Sequence, residues 1–300
     1  MERNVLLDYF KIILCILVIG GHMQPLFGDS QFISWYIPNG ISRVTVPVFL
    51  IISGYYVFSK LNDPKAFKKY MKHFILIYLV WTLIYTPYFI TSVRPVDFLI
   101  VLLTGYYHLW YMPTAIVGLL ILFFAKKYIK NDYYMLALAL ILYLAGYLLS
   151  FHFNKIFIFR NGFTIGFMFV FAGYFIRSKQ FDKKSNLYII PLACIALLAN
   201  AYEAYYTYTH AMKPNQDMML SILVLSPALF TLVLRNPIMK VGKGFLNILP
   251  SAIYFVHPFA ISLIDVPLEY KIYKLPYVFL LSIVFSFIVY HLNKKVKIFL

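Results

Sequence analysis

The chain has 300 residues, of which 62% are hydrophobic and 13% are charged, and its mean hydropathy is +0.77. A soluble domain is about half apolar and about a quarter charged, so this composition indicates an integral-membrane protein. The net charge of +16 does not indicate a nucleic-acid partner, because the lysines and arginines form short clusters between apolar stretches. No polar linker divides the chain, and we expect one integral-membrane domain over residues 1–300.

Stretches of about 20 mostly apolar residues predict transmembrane helices, because a helix of that length crosses the hydrocarbon core of a bilayer. Ten such stretches follow one another, and they predict an all-α fold, a polytopic integral-membrane helical bundle. The segment 96–107 is too short to span and is expected to be interfacial or re-entrant. The predicted spans are residues 5–26, 42–59, 73–92, 108–125, 133–151, 162–178, 187–207, 218–234, 246–264 and 275–292.

The basic residues predict how these spans are oriented, since lysine and arginine are enriched in cytoplasmic loops. With the N-terminus inside, the inner loops hold the lysines of residues 60–72 and 126–130 together with Lys243. The outer loops then hold few, among them Lys213. The reverse orientation would invert this ratio. We therefore expect both termini in the cytoplasm and an even number of spans.

The first predicted span contains two polar side chains, Lys11 and His22. Eleven residues make about three helical turns, so the two side chains share one helix face roughly 16 Å apart. A cation and an imidazole are costly inside a membrane, and such residues are functional by default. Asp8 lies three residues before Lys11, a spacing that lets the two pair on that face. The span therefore carries the first candidate site.

Six short patterns occur in order along the chain. They are Arg3-x4-Asp8-x2-Lys11-x10-His22, Val46–Tyr55, Lys69-Tyr-Met-Lys72, His108–Met112, Phe169–Tyr174 and Ile253–Pro258. Each pattern alone is weak, but together they resemble the acyltransferase-3 family of bacterial integral-membrane O-acyltransferases. Lys11, Lys69 and Lys72 stand where arginine is commoner in that family. Lysine keeps the charge but lacks the forked geometry with which arginine binds a phosphate.

The resemblance implies an enzyme that moves an acyl group, expected to be acetyl, from cytoplasmic acyl-CoA to a hydroxyl of a cell-envelope glycan or its lipid-linked precursor. It also implies a bacterial inner membrane and acetyl-CoA as co-substrate. An alcohol is a poor nucleophile until a base removes its proton, and histidine titrates near neutral pH. His22 is therefore the candidate base, and the sequence leaves open whether the acyl group moves directly to the hydroxyl or is relayed first. Lys11 would hold the acyl donor or the developing oxyanion, and Asp8 would orient Lys11. A purely structural pair of Asp8 and Lys11 is the alternative.

A dense basic cluster on the predicted inner side is the candidate site for the acyl donor. The resemblance favours the phosphates of CoA as the ligand of Lys69 and Lys72. Ordinary anchoring at the cytoplasmic surface is the alternative interpretation. The cluster consists of Lys68, Lys69 and Lys72.

A third set of residues, mostly on the predicted outer side, provides candidates for binding the acceptor. Arginines on the outer side oppose the charge rule, and aromatic rings there either anchor the protein at the interface or stack on a sugar. A histidine in the middle of the ninth span precedes a proline that frees a backbone carbonyl. These residues are Arg43, Arg160, His108, Trp110, Tyr111 and His257.

Two other classes of function stay open. A transporter or exporter of a polysaccharide or small solute would suit ten spans with buried charges, although the sequence shows no convincing internal repeat. A membrane component that binds glycan or lipid without catalysis is the other. No histidine, cysteine or carboxylate cluster has metal-ligand spacing, so no metal is expected. The expected partners are membrane lipid, acyl-CoA and the glycan acceptor, without nucleic acid.

Overall fold

The computed structural model describes residues 2–27, 32–90, 94–210, 218–241, 245–264 and 271–300, and most of them are helical. The helices are α1 (Val5–His22), α2 (Phe32–Asn39), α3 (Thr45–Val57), α4 (Pro64–Phe89), α5 (Pro95–Thr104), α6 (Tyr111–Tyr128), α7 (Asp132–His152), α8 (Ile156–Phe159), α9 (Phe167–Ser178), α10 (Ile189–Thr209), α11 (Ile222–Arg235), α12 (Phe245–Leu263) and α13 (Leu275–Val296). The predicted helical architecture is confirmed.

Shorter elements connect these helices. A π-helix, Gly162–Gly166, leads into α9. Two three-residue strands, β1 (Glu2–Asn4) and β2 (Met239–Val241), pair antiparallel. The 3-10 turns are Ile41–Val44, Phe58–Lys60, Tyr107–Trp110, Phe181–Lys183 and Lys271–Lys274.

Eight stretches of the described chain are long and apolar enough to cross a membrane, as expected of a multi-pass membrane protein. Each overlaps one predicted span, but the predicted count of ten and the cytoplasmic placement of both termini stay predictions. Of the charges used for that placement, Lys213 and Lys243 lie outside the described residues. The eight stretches are Val5–His22, Phe32–Lys60, Tyr107–Tyr128, Asp132–His152, Ile156–Ser178, Ile189–Thr209, Phe245–Leu263 and Lys271–Val296.

The other two predicted spans, 73–92 and 218–234, fall on α4 and α11. The first ten residues of α4 include four lysines and a histidine, so the apolar part of this helix is shorter than the helix itself. Helix α11 has 14 residues and is about 21 Å long, well below the thickness of the hydrocarbon core. The segment expected to be interfacial or re-entrant forms the ten-residue α5, which is also too short to span.

The described helices form two compact units. The first comprises Met1–Thr45 and Asp182–Leu300, and the second comprises Val46–Phe181. The expectation of a single domain over residues 1–300 remains a prediction.

In the first unit, α1 packs against α12, and α12 packs against α13. Asn4 fixes the start of α1 because its side chain accepts the N–H of Leu7 and that of Ile238, the residue before β2. Helix α11 lies beside α10, whose Glu203 accepts the N–H groups of Leu220 and Ser221 at 2.8 and 2.9 Å. A carboxylate there satisfies amide donors that the start of α11 would otherwise leave unpaired.

In the second unit, α3 and α9 approach each other at two glycines from the family-like patterns. A Cβ atom on Gly54 would lie 1.8 Å from the carbonyl oxygen of Val170. A Cβ atom on Gly173 would lie 1.9 Å from the carbonyl oxygen of Ile51. Small residues allow such backbone contacts between membrane helices. Gly54 and Gly173 therefore serve packing.

The first prediction concerns this contact. Replacing Gly54→Ala should destabilise the protein by about 1 to 3 kcal/mol or more, because the added methyl group meets rigid backbone instead of a flexible side chain. The midpoint of thermal unfolding in detergent would measure the loss.

Gly20→Ala is the matched control, since its Cβ would meet only Leu26 and Ile37 at ordinary contact distances of 3.7 and 3.9 Å. Alanine also favours a helix over glycine, so this variant should be as stable as the parent or more so. Equal midpoints for Gly54→Ala and Gly20→Ala would contradict the assigned packing.

Candidate active site

The polar side chains of α1 share one face. Asp8, Lys11, Cys15 and His22 are spaced by three, four and seven residues, which keeps them on one side of the helix. Lys11 Nζ donates to Asp8 Oδ1 at 3.1 Å. The carboxylate of Asp8 is buried and the side chain of Lys11 is 16% exposed. Because an unpaired buried charge would be costly, the pair keeps α1 locally neutral while a cation stays within reach of solvent.

His22 is the last residue of α1. The helix stops there because the N–H of Met23 bonds to the carbonyl of Gly20 instead of continuing the regular ladder. The chain that follows is held by the 3-10 turn Lys271–Lys274, in which Lys271 donates to the carbonyl of Gln24. The partly buried imidazole of His22 therefore lies at a fixed helix end, where the dipole of α1 favours positive charge.

His257 lies against His22. The two ring centroids are 5.2 Å apart with an interplanar angle of 32°, and His257 has no exposed surface. His257 Nδ1 contacts the carbonyl oxygens of Tyr254 at 2.8 Å and Ile253 at 3.2 Å. Pro258 has no N–H, so the carbonyl of Tyr254 lacks its usual helical donor and accepts from the imidazole. The sequence places these two histidines 235 residues apart, and only the fold brings them together.

A second contact shows that α1 and α12 run in the same direction. Cys15 Sγ donates to the carbonyl of Pro250 at 3.4 Å. His22 lies seven residues after Cys15 on α1, and His257 lies seven residues after Pro250 on α12. The two helices therefore pack in parallel over two turns, which holds both imidazoles on one rigid frame.

Arg43 lies at a break between two helices. It lies in the 3-10 turn Ile41–Val44, which interrupts the candidate span Phe32–Lys60. Its guanidinium donates to Asn39 Oδ1 at 2.8 Å. The neighbouring Ser42 donates to the carbonyl of Leu17 at 3.0 Å, so this turn packs on α1 close to its histidine end. The break in the helix therefore places a cation inside the first unit.

Three expected acceptor-binding residues come together in the second unit. The guanidinium of Arg160 lies 4.2 Å from the centre of the Trp110 ring, in cation–π geometry. Tyr111 Oη is 3.1 Å from Ser53 Oγ. Trp110, Tyr111 and Arg160 are partly exposed, so both the stacked pair and the hydroxyls could contact a polar ligand.

His108 has a different environment from its neighbours. Its side chain is buried, and its ring meets the edge of Tyr85 at a centroid distance of 4.8 Å. It therefore packs within the second unit and offers little surface to a sugar.

The lysine cluster lies on an exposed face of α4. Lys68 and Lys72 continue an exposed stripe that runs through Ile75, Leu79 and Leu83 at spacings of three and four residues. The stripe is suited to lipid, and its basic end is suited to phosphate-bearing groups at the membrane surface. Lys69 lies one residue round the helix from this stripe and is also exposed.

A buried carboxylate that sequence reasoning missed organises the second unit. Asp132 accepts hydrogen bonds from Tyr174 at 2.9 Å and Ser178 at 2.8 Å. Its oxygens also lie 3.2 Å from Lys126 Nζ and 3.1 Å from Lys179 Nζ. The available signal was an acidic residue just after a run of lysines, but its partners on α9 could not be read from spacing. In the described ranges, no three histidine, cysteine or acidic side chains lie close enough to hold a metal ion.

These features define a multi-pass membrane protein with a histidine pair and a buried ion pair on one helix face. A family profile described as "Acyltransferase domain" matches residues 4–291. The chain belongs to this acyltransferase family, as its six patterns predicted.

Curated relatives are longer than this chain. A serine/alanine racemase of Enterococcus gallinarum is 28% identical over 293 residues, covering 87% of this chain and 41% of that protein. An amino-acid racemase of Enterococcus faecalis is 29% identical over 217 residues, covering 63% of this chain and 30% of that protein. The chain thus spans less than half the length of these relatives. No solved structure matches it.

A second prediction concerns Asp132. Asp132→Asn should lower the free energy of unfolding by about 1 to 3 kcal/mol, because it removes the charge that balances two lysines and weakens two further hydrogen bonds. Thermal unfolding in detergent would measure it.

Asp97→Asn is the control, since the ion pair of Asp97 with Arg94 is exposed and such pairs contribute little. It should leave the unfolding midpoint unchanged. If Asp132→Asn loses no more stability than Asp97→Asn, then Asp132 and its partners do not stabilise the fold.

Proposed function

We propose that this acyltransferase moves an acyl group, most simply acetyl, from cytoplasmic acyl-CoA to a hydroxyl of a cell-envelope glycan or its lipid-linked precursor. The observation that carries the proposal is the imidazole of His22, held at the end of α1 against His257 and on the same helix face as Asp8 and Lys11. A bacterial inner membrane is the proposed location.

His22 is the proposed general base. The reaction joins a hydroxyl oxygen to the acyl carbon and breaks the carbon–sulfur bond of the thioester. His22 takes the hydroxyl proton as the new bond forms and returns a proton to the departing thiolate. The dipole of α1 stabilises the imidazolium that exists between these two transfers.

Lys11 is the proposed electrostatic partner. It lies three turns before His22 on the same face, and Asp8 holds its ammonium in place. A fixed cation in a water-poor site stabilises negative charge more strongly than one in water. We assign it to the acyl-donor side of the reaction, because roughly 16 Å of helix separates it from the base and an extended pantetheine arm can bridge that length.

The second unit supplies the proposed binding groups. Lys68, Lys69 and Lys72 are proposed to bind the phosphates of acyl-CoA at the membrane surface. For the acceptor, Trp110 with Arg160 offers an aromatic face beside a cation, a surface suited to a sugar or an anionic carrier.

The remaining acceptor candidates have supporting roles in this proposal. Tyr111 offers a hydroxyl beside Ser53. Arg43 would bind an acceptor group on the first unit. His108 would act through its packing on Tyr85, since its ring is buried.

A third prediction tests the base. In membrane vesicles supplied with radiolabelled acetyl-CoA, the wild-type chain should label envelope glycan or its lipid-linked precursor. His22→Ala should lower the rate by about 100-fold or more, since general base catalysis contributes 10²–10⁴-fold.

His152→Ala is the control, because His152 is exposed at the end of α7 and belongs to no candidate site. It should label at the wild-type rate. Undiminished labelling by His22→Ala would refute the role of His22, and absence of labelling by the wild type would refute the proposed substrates.

A fourth prediction tests the donor site. Lys69→Gln combined with Lys72→Gln should raise the KM for acetyl-CoA about 3- to 10-fold and weaken its dependence on salt, because two phosphate-binding charges are lost. Initial rates at several salt concentrations would show this, with kcat nearly unchanged.

The pair Lys294→Gln and Lys295→Gln, at the end of α13, removes the same charge from another basic helix end and should leave the KM as it was. If the two double variants behave alike, the α4 lysines only anchor the protein to lipid.

Transport of a small solute is the second candidate function. The observation in its favour is that one matched relative is named a serine/alanine racemase and another an amino-acid racemase, which makes an amino acid a candidate solute. Vesicles that accumulate labelled serine or alanine without acylating any acceptor, and that do so equally with His22→Ala, would favour transport over acyl transfer.

A further inference from the structure

A role in binding the acceptor does not explain the position of His257. Its ring has no exposed surface and touches His22, the proposed base. A residue so enclosed acts on a substrate through its neighbour. The inference drawn from it rests on the proposed function, because it concerns how His22 becomes a base.

The helix around His257 determines which ring nitrogen carries its proton. Carbonyl oxygens only accept hydrogen bonds, so Nδ1 must be the donor to Tyr254 and Ile253. The stronger of these bonds exists because Pro258 cannot supply the N–H that would otherwise occupy the carbonyl of Tyr254. In neutral His257, Nε2 therefore has a lone pair and no proton.

We infer that His257 is a positioning residue whose Nε2 accepts a hydrogen bond from one ring nitrogen of His22 when His22 acts as the base, after a small rotation of the two neighbouring rings. A centroid separation of 5.2 Å allows a nitrogen of each ring to come within hydrogen-bonding distance. This bond leaves the other nitrogen of His22 with its lone pair available for the acceptor hydroxyl. His257 thus fixes the tautomer and orientation of the base, as the third member of a catalytic triad does.

Each proton in the reaction can then be assigned to an atom. The hydroxyl proton moves to the open nitrogen of His22, whose other proton stays shared with His257 Nε2. The proton on the open nitrogen leaves with the thiolate as the carbon–sulfur bond breaks. The Nδ1 proton of His257 stays hydrogen-bonded to the carbonyl of Tyr254 throughout the reaction. The buried ring therefore does not have to exchange a proton with solvent.

Other ionisable groups near the pair come from each element packed around it. Helix α1 carries Cys15 and, further along, the Asp8–Lys11 pair, while α12 carries Tyr254 with its ring 6.4 Å from His257. The turn between α2 and α3 carries Arg43, and the turn before α13 carries Lys271. Of the described side chains that α13 buries, Ser282 and Ser286 are polar and neither titrates near neutral pH. Because His257 stays neutral in its buried position, a change in titration between pH 5 and 8 reports on His22.

Pro258→Ala is the decisive variant. It restores an N–H that competes for the carbonyl of Tyr254, so His257 is released from its fixed tautomer without any change in its own side chain. His257→Leu removes the acceptor altogether, whereas His257→Gln keeps a polar terminus that can accept from His22. Pro250→Ala is the matched control, because it makes the same substitution in the same helix, two turns before His257, and keeps the backbone carbonyl that accepts from Cys15.

The readout is chemical modification of His22 by diethyl pyrocarbonate, which reacts with neutral imidazole, followed by mass spectrometry of its peptide across pH 5 to 8. The full chain in detergent is used, so the result does not require acyl transfer to occur. We expect the midpoint in His257→Leu and Pro258→Ala to move to lower pH by about 0.5 unit or more, since the imidazolium loses its hydrogen-bond acceptor. His257→Gln and Pro250→Ala should stay close to the wild type.

A kinetic comparison gives the second readout. Acetyl transfer in His257→Leu and Pro258→Ala should lose at least about tenfold in kcat with little change in KM, as for other supporting residues of a site. Wild-type modification profiles in both variants, or an equal shift in Pro250→Ala, would overturn the inference. If the modification midpoints shift but neither the wild type nor any variant transfers acetyl, the proposed substrates are wrong and the interaction of His22 with His257 is still supported.

Discussion

The parallel contact of α1 with α12 is the interaction on which the candidate site depends. Cys15 meets the carbonyl of Pro250, and seven residues further along both helices His22 meets His257. The start of α1 is fixed separately, through β1 and β2 and the side chain of Asn4. With both ends held, the imidazole at the end of α1 has a defined neighbour, which a base on a mobile loop would lack.

Burial of charge explains how each unit is organised. A carboxylate among apolar side chains is tolerated only with partners, because its desolvation is costly. Asp8 meets this condition within one helix, by pairing with Lys11. Asp132, at the start of α7, has partners from the ends of two other helices, α6 and α9. They are Lys126, Lys179 and two hydroxyl groups. The first arrangement keeps a cation on the candidate catalytic face, and the second fastens the α6–α7 turn to α9.

The patterns shared with the family divide into chemistry and packing. The pattern that ends in His22 and the one that contains His257 meet in the first unit. Gly54 and Gly173 belong to two others, and they let α3 and α9 touch through their backbones. Tyr174, next to Gly173, anchors Asp132. Sequence reasoning grouped all of these as signs of one enzyme, and the structure gives each a separate physical task.

The sequence by itself determined the helical membrane architecture, the common face of Lys11 and His22, and the family, because hydropathy, helical periodicity and short motifs are local properties. Two of the ten predicted spans fall on α4 and α11, whose bounds differ from the predicted ones, since apolar composition does not show where a helix begins or ends. Only the tertiary structure decided that His257 lies on His22, that Asp132 joins two lysines, and that Arg43 occupies a helix break. Those facts depend on which helices pack together, and partners 235 residues apart leave no trace in local spacing.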